Sequence, residues 1–199
     1  MKYSELDDKA KACAQQWWSE CASQDFGSDE FTLTDILVVL GHLGFDTIKE
    51  DVSWSGFCSQ GDGLVFKGGW RASCVDTAAL LEHAPEDTEL RSIAAEIMVV
   101  MLRHPAGAVK LGLNRYGCGL PIMDIEASGT GVIDDDTGEE VQFSYEEDAD
   151  FRALAKRLAA WAYSQLEDEY NYVTSTEQAD ETLANMDGDY EFDMSGAVV

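Results

Sequence analysis

The sequence predicts an α+β fold, an antiparallel, hairpin-built sheet of about five or six strands with helices packed on one face. Two observations point to the sheet and one to the helices. Alternating apolar and polar residues flank two glycine-rich turns, around Gly61-Asp62-Gly63 and around Gly117-Cys118-Gly119, which is how hairpins read in a sequence. A further alternating run, Glu140 to Tyr145, follows an acidic turn. Other segments repeat their apolar residues at helical spacing instead. With 199 residues and 45% apolar content, the chain can bury a core as one domain, 1–199, with a strongly acidic C-terminal half.

Taken in order, Ser4-Glu5-Leu6-Asp7 reads as a capping-box start for a first helix to about Ala22, with Leu6, Ala10, Cys13, Trp17 and Cys21 as its stripe. Trp18 lies about 100° off that stripe and is expected at the core's rim. Thr32 or Thr34 caps a second helix through Ile36, Leu37, Leu40 and Leu43, and Gly44 ends it in a left-handed conformation. The turn Asp46 to Glu50 leads into a hairpin with Trp54 to Phe57 and Leu64 to Gly69 as its strands. A short helix, Val75 to His83, precedes a longer one opened by Pro85-Glu86-Asp87, whose stripe is Leu90, Ile93, Ala94, Ile97, Met101 and Leu102. Arg103 and His104 suit its last turn, and Pro105 stops it. The second hairpin pairs Ala108 to Arg115 with Ile122 to Ala127.

A long helix from about Asp148 to Tyr170 buries Phe151, Leu154, Leu158, Trp161 and Ala162. Glu167, Asp168 and Glu169 crowd its C-terminal end, where the dipole disfavours them. Ser175-Thr176-Glu177-Gln178 is another capping box, opening a short helix to Asn185. Tyr190 to Phe192 alternates as a last strand would.

The most chemically specific stretch is the tip of the first hairpin, Ser55-Gly56-Phe57-Cys58-Ser59-Gln60-Gly61-Asp62-Gly63. Its glycines permit positive φ and a close approach. Ser59, Gln60 and Asp62 add donors and acceptors, and Trp54, Ser55 and Phe57 flank them. Two readings stand: a recognition site for a small polar ligand, or a turn whose polar side chains satisfy its own backbone amides. Arg115 and Tyr116 of the neighbouring hairpin are the groups expected to meet this tip, a cation opposite Asp62 and a phenol closing the pocket.

Charge is the second strong signal. Thirteen bases against 39 acids leave a net charge of −26. Between Asp124 and Asp193 there are 21 acids and three bases, and no base follows Arg157. That field repels nucleic acids and anionic membranes, whose binding rests on lysine and arginine. A basic protein surface, including one that normally holds nucleic acid, is the partner it fits; a solubilising acidic face is the plainer reading. The acids expected to meet such a partner are Asp134, Asp135, Asp136, Glu139, Glu140, Glu146, Glu147, Glu167, Asp168 and Glu169. Asp134-Asp135-Asp136 lacks the spacing of a calcium loop, which favours a solvated turn.

Five scattered cysteines without a CxxC spacing fit reduced, mostly packed thiols. His42, His83 and His104 form no metal-ligand motif, and no nucleophile and base arrangement or phosphate loop is visible. No cofactor is implied. The apolar runs fall short of a membrane span, and a cytoplasmic location is expected.

The string Ser-Gly-Phe-x-Ser-Gln-Gly-Asp-Gly-x-x-Phe-x-Gly, from Ser55 to Gly68, resembles the signature of a family of small uncharacterised bacteriophage proteins. Tyr3-Ser4-Glu5-Leu6 with Ala10-Lys11 is similar to that family's first helix. Gln165-Leu166-Glu167 through Glu169-Tyr170, Thr174-Ser175, and Asn185 ahead of Tyr190-Glu191-Phe192 are similar to its end. Where the resembling proteins often carry a histidine soon after an Arg-Tyr pair, Arg115-Tyr116 is followed by glycine and cysteine. The resemblance implies a phage or prophage origin and a shared fold, and no activity. Combined with the charge, it leads to the expectation of a non-enzymatic inhibitor or decoy acting on a host protein, a defence nuclease being the leading candidate. The alternative is a protein that binds or sequesters a small polar ligand or nucleotide.

Overall fold

A computed structural model describes residues 1–26, 31–57, 62–104, 108–114, 124–126, 131–133, 140–142 and 144–199; for the strands between 108 and 142 only the backbone is described. The class is α+β, with six α-helices and antiparallel strand pairing throughout the described residues. Where the sequence suggests one sheet, the described strands form a four-stranded sheet and two two-stranded ladders. The chain divides into two compact units, Met1–Glu30 with Leu166–Val199, and Phe31–Gln165.

In the Phe31–Gln165 unit, helix α2 (Phe31–His42) runs directly into strand β1 (Leu43–Phe45). Thr32 and Thr34 therefore lie inside α2 rather than capping it. Gly44 has φ +89°, the left-handed stop expected of it, but it also admits β4 (Gly68–Val75), the strand that pairs with β1. A Cβ on Gly44 would lie 2.7 Å from the Arg71 carbonyl oxygen. The Trp70 indole then donates to the Leu43 carbonyl at 2.9 Å. Sequence reading passed over β4, although Trp70 and Ala72 are buried between exposed Arg71 and Ser73, the alternation of a half-buried strand.

Strands β2 (Val52–Ser55) and β3 (Gly63–Phe66) form the expected first hairpin, with Trp54 opposite Leu64 and Ser55 opposite Gly63. After helices α3 (Thr77–His83) and α4 (Thr88–Arg103), strand β5 (Ala108–Asn114) pairs with β4 and with β6 (Asp124–Glu126), giving the sheet order β1-β4-β5-β6. Strand β7 (Gly131–Ile133), unforeseen in the sequence, pairs with β8 (Glu140–Gln142).

Helix α4 buries Leu90, Ile93, Ala94 and Ile97, but its stripe stops there: Leu102 is 73% exposed. Helix α5 (Tyr145–Val173) buries all five residues expected of it. Phe151 packs edge-on against Trp70 at 5.2 Å between centroids, and Phe45 meets Phe66 at 5.4 Å. These rings fill the unit's core with large apolar area and favourable edge geometry. The last residues of α5, from Leu166, belong to the other unit.

That second unit packs α1 (Asp8–Asp25) against α6 (Thr176–Asn185). Asp7 caps α1, its carboxylate accepting from the Ala10 amide at 2.8 Å, while Tyr3–Glu5 form a separate 3-10 turn; the start expected at Ser4 is thus three residues early. The stripe is rotated accordingly. Ala10 and Ala14 are buried and Cys13 is exposed, as is Cys74, so neither is the packed thiol expected. Tyr3, Leu6, Leu183 and Phe192 complete this core, and both Trp17 and Trp18 pack on it. Each tryptophan meets Tyr190 edge-on, at 5.3 and 6.3 Å, so Trp18 shares the cluster.

The expected last strand is an isolated bridge between Phe192 and Val198. The Met1 ammonium donates to the Phe192 carbonyl at 2.7 Å and the Phe192 amide to the Met1 carbonyl at 2.8 Å. Asp193 holds the following turn, its carboxylate accepting from the Ser195 hydroxyl at 2.6 Å and the Ser195 amide at 2.7 Å. These bonds, the hydroxyl first, keep its pKa below the ordinary carboxylate value. Gly196, at φ +86°, lies where a Cβ would collide with the α1 backbone at the Ala10 carbonyl.

Candidate functional site

The hairpin owes its shape to Gly56, at φ +51°, a conformation glycine adopts freely. The Asp62 carboxylate lies directly over it: a Cβ on Gly56 would sit 2.6 Å from both Asp62 Cγ and Oδ1. Asp62 is thus folded onto its own hairpin. Beside it, three aromatic rings stack in series. Trp54 lies 5.5 Å from Phe57 with 29° between planes, and Phe57 lies 5.4 Å from Tyr163 with 27°. The Tyr163 hydroxyl donates to the Gly56 carbonyl at 3.1 Å. Sequence reading found Trp54 and Phe57 but missed Tyr163, which α5 delivers from 107 residues away. Its half-buried place next to the Leu158-Ala162 stripe was the available signal.

The Ser55 Oγ is buried and has no hydrogen-bond partner among the described residues. A buried hydroxyl without one costs on the order of 1–3 kcal/mol. Ser59 and Gln60 at the tip, and Arg115 and Tyr116, lie outside the described residues.

Of the acids expected to form a partner surface, Asp134, Asp135, Asp136 and Glu139 lie outside the described residues, and Glu140 opens β8. Glu146 is exposed in the first turn of α5. Glu147 is occupied. It accepts from the Ser144 amide at 3.0 Å and the Ser144 hydroxyl at 2.9 Å, while its own amide donates back to Ser144 Oγ at 3.3 Å. This is a reciprocal capping box. The other Glu147 oxygen lies 3.1 Å from His104 Nε2. The Ser144 amide first, then His104, lowers the Glu147 pKa to about 2.

Helix α5 runs to Val173, so Glu167, Asp168 and Glu169 sit at least a turn from its end rather than on it. Helix α6 turns Glu177, Asp180 and Glu181 outward. Asp180 accepts from the Tyr3 hydroxyl at 2.5 Å and from Gln15 at 2.9 Å. Burial, and then the Asp180 bond, push the Tyr3 pKa up to about 12.

The second half of α4 and the start of α5 enclose a cleft of about 380 Å³, lined by both apolar and charged side chains. Elsewhere in the same unit, His83 pairs with Asp35 at 2.8 Å, and its ring lies 6.1 Å from that of His42. Among the described residues no three His, Cys, Asp or Glu side chains are grouped to hold a metal ion, and no helix is long and apolar enough to cross a membrane.

No curated protein and no solved structure matches the chain. Residues 29–176, which include the hairpin, the α4/α5 cleft and all of α5, match one family described as a domain of unknown function. With most of its length covered, the chain belongs to that family, DUF8835.

Proposed function

We propose that the protein is a phage-encoded, non-enzymatic acidic decoy that occupies a basic, nucleic-acid-facing surface of a host protein, a defence nuclease fitting that description. The observation that supports this reading is the concentration of charge in one unit. Met1–Glu30 with Leu166–Val199 hold 17 acids and three bases, more than half the net charge of −26. Folding consumes only some of those acids: Asp7 caps α1, and Asp180, Asp187 and Asp193 accept internal hydrogen bonds. Asp168, Glu177, Glu181 and Glu191 are exposed and free for a partner. Exposed acids held on a folded unit resemble phosphates to a basic groove, and their attraction is long-ranged and salt-sensitive.

The test is capture of a host protein by the immobilised full chain at low and at high salt, followed by displacement with duplex DNA. Reversing Asp168, Glu177 and Glu181 to lysine should abolish capture and leave the melting temperature nearly unchanged. Reversing Asp134, Asp135, Glu139 and Glu140 examines the other acidic stretch in the same way. Capture that withstands high salt, DNA and both sets of reversals defeats the proposal.

A second reading, a small polar ligand at the hairpin, is favoured by one observation, the buried Ser55 hydroxyl that has no partner among the described residues, on the strand that also carries Trp54. That reading also enlists Ser59, Gln60, Arg115 and Tyr116, which lie outside the described residues. Ser55→Ala should then release a molecule that co-purifies with the unaltered protein. The reading fails if the variant is merely more stable and nothing is lost from it.

A further inference from the structure

Six charged side chains line the α4/α5 cleft, and four of them are committed to one another or to the fold. Arg157 donates to Glu96 at 2.5 Å and to Glu89 at 2.8 Å. His104 meets Glu147, itself held by Ser144. Arg103 and Asp150 remain, both exposed and without an ion-pair partner among the described residues. Arg103 sits in the last turn of α4, where the dipole suits its charge, whereas Asp150 lies past the first turn of α5, so the dipole accounts for Arg103 alone. It does not explain why the two share a cleft floored by Val99, Val100, Ala153 and Leu154.

We propose that this cleft binds a small zwitterion with an apolar side chain, an α-amino acid of the leucine type. Its carboxylate pairs with the Arg103 guanidinium, its ammonium with the Asp150 carboxylate, and its side chain covers the apolar floor. Competing ligand classes fit less well. Phosphate-bearing molecules would face the carboxylates of Glu96, Glu147 and Asp150 along with the cations. A wholly apolar ligand would strip water from Arg103 and Asp150 and return nothing. At about 380 Å³ the cleft is near the lower end of ligand pockets, roughly 300–1,000 Å³, a size that suits a single metabolite.

The experiment is calorimetric titration of the purified full chain with L-leucine, with 4-methylpentanoate, which lacks the amine, and with 3-methylbutylamine, which lacks the carboxylate. Leucine should bind, and each analogue should bind about tenfold more weakly, the scale of one lost charge-assisted hydrogen bond. Arg103→Gln should weaken leucine by about the same factor and leave 3-methylbutylamine unchanged. Asp150→Asn should weaken leucine likewise and leave 4-methylpentanoate unchanged. Ala153→Phe, at an exposed helical position, should fill the cleft and abolish binding of all three with the circular dichroism spectrum intact. The proposal is overturned by absence of leucine binding to the unaltered protein, by equal affinity for the three compounds, or by leucine binding that ignores Arg103→Gln and Asp150→Asn.

Discussion

Replacing Gly56 by alanine separates the structural work of the first hairpin from any recognition it performs. At φ +51° an L-residue pays about 1–2 kcal/mol for the left-handed conformation. The new methyl would also fall 2.6 Å from Asp62 Cγ and Oδ1, closer than real contacts allow, so the carboxylate has to swing off the hairpin. Displacing the carboxylate from its place over the hairpin adds about 1 kcal/mol, the scale of one polar interaction, and Gly56→Ala should therefore destabilise by about 2–3 kcal/mol in all. In an Asp62→Ala background the obstacle is gone and only the backbone term remains, about 1–2 kcal/mol. The double-mutant cycle should accordingly show a coupling of about 1 kcal/mol between the two positions. Urea denaturation followed by circular dichroism measures it, with m-values checked for constancy. Strict additivity, or a Gly56→Ala cost below about 0.5 kcal/mol, the size of an ordinary surface change, would refute the placement of Asp62 over Gly56.

Two other perturbations address the two units separately. Tyr3 has its pKa raised to about 12, so its contribution to stability is complete below the ordinary phenol value of about 10 and is lost as pH rises through about 12; Tyr3→Phe should flatten stability over that alkaline window, which pH-dependent urea midpoints will detect. Asp87 caps α4 by accepting from the Leu90 amide at 2.8 Å and also accepts from the Trp161 indole at 2.7 Å. Asp87→Ala should cost about 1 kcal/mol for the cap and about 1–3 kcal/mol more for the stranded indole N–H; a change under 0.5 kcal/mol in denaturation would contradict both roles.

What the sequence determined by itself is whatever needs only neighbours along the chain. The α5 stripe from Phe151 to Ala162, the Ser175 cap of α6, the β2–β3 hairpin and the lopsided charge were all legible. Each follows from helical or alternating periodicity, a capping side chain or glycine's backbone freedom, within a few residues. The boundaries that moved did so for local competitors, as when Asp7 rather than Ser4 took the α1 cap and rotated Cys13 outward in favour of Ala14.

Only the tertiary structure decided which distant surfaces met. It placed β4 between β1 and β5, carried Tyr163 to the Trp54–Phe57 stack, and put Arg103 and Asp150 in one cleft. It also turned Glu147 from a presumed surface charge into a capping group and bonded Met1 to Phe192. Strand order and helix docking are chosen by which apolar faces exclude water together and which backbone edges pair. Those choices relate residues far apart in the chain, and no local pattern records them.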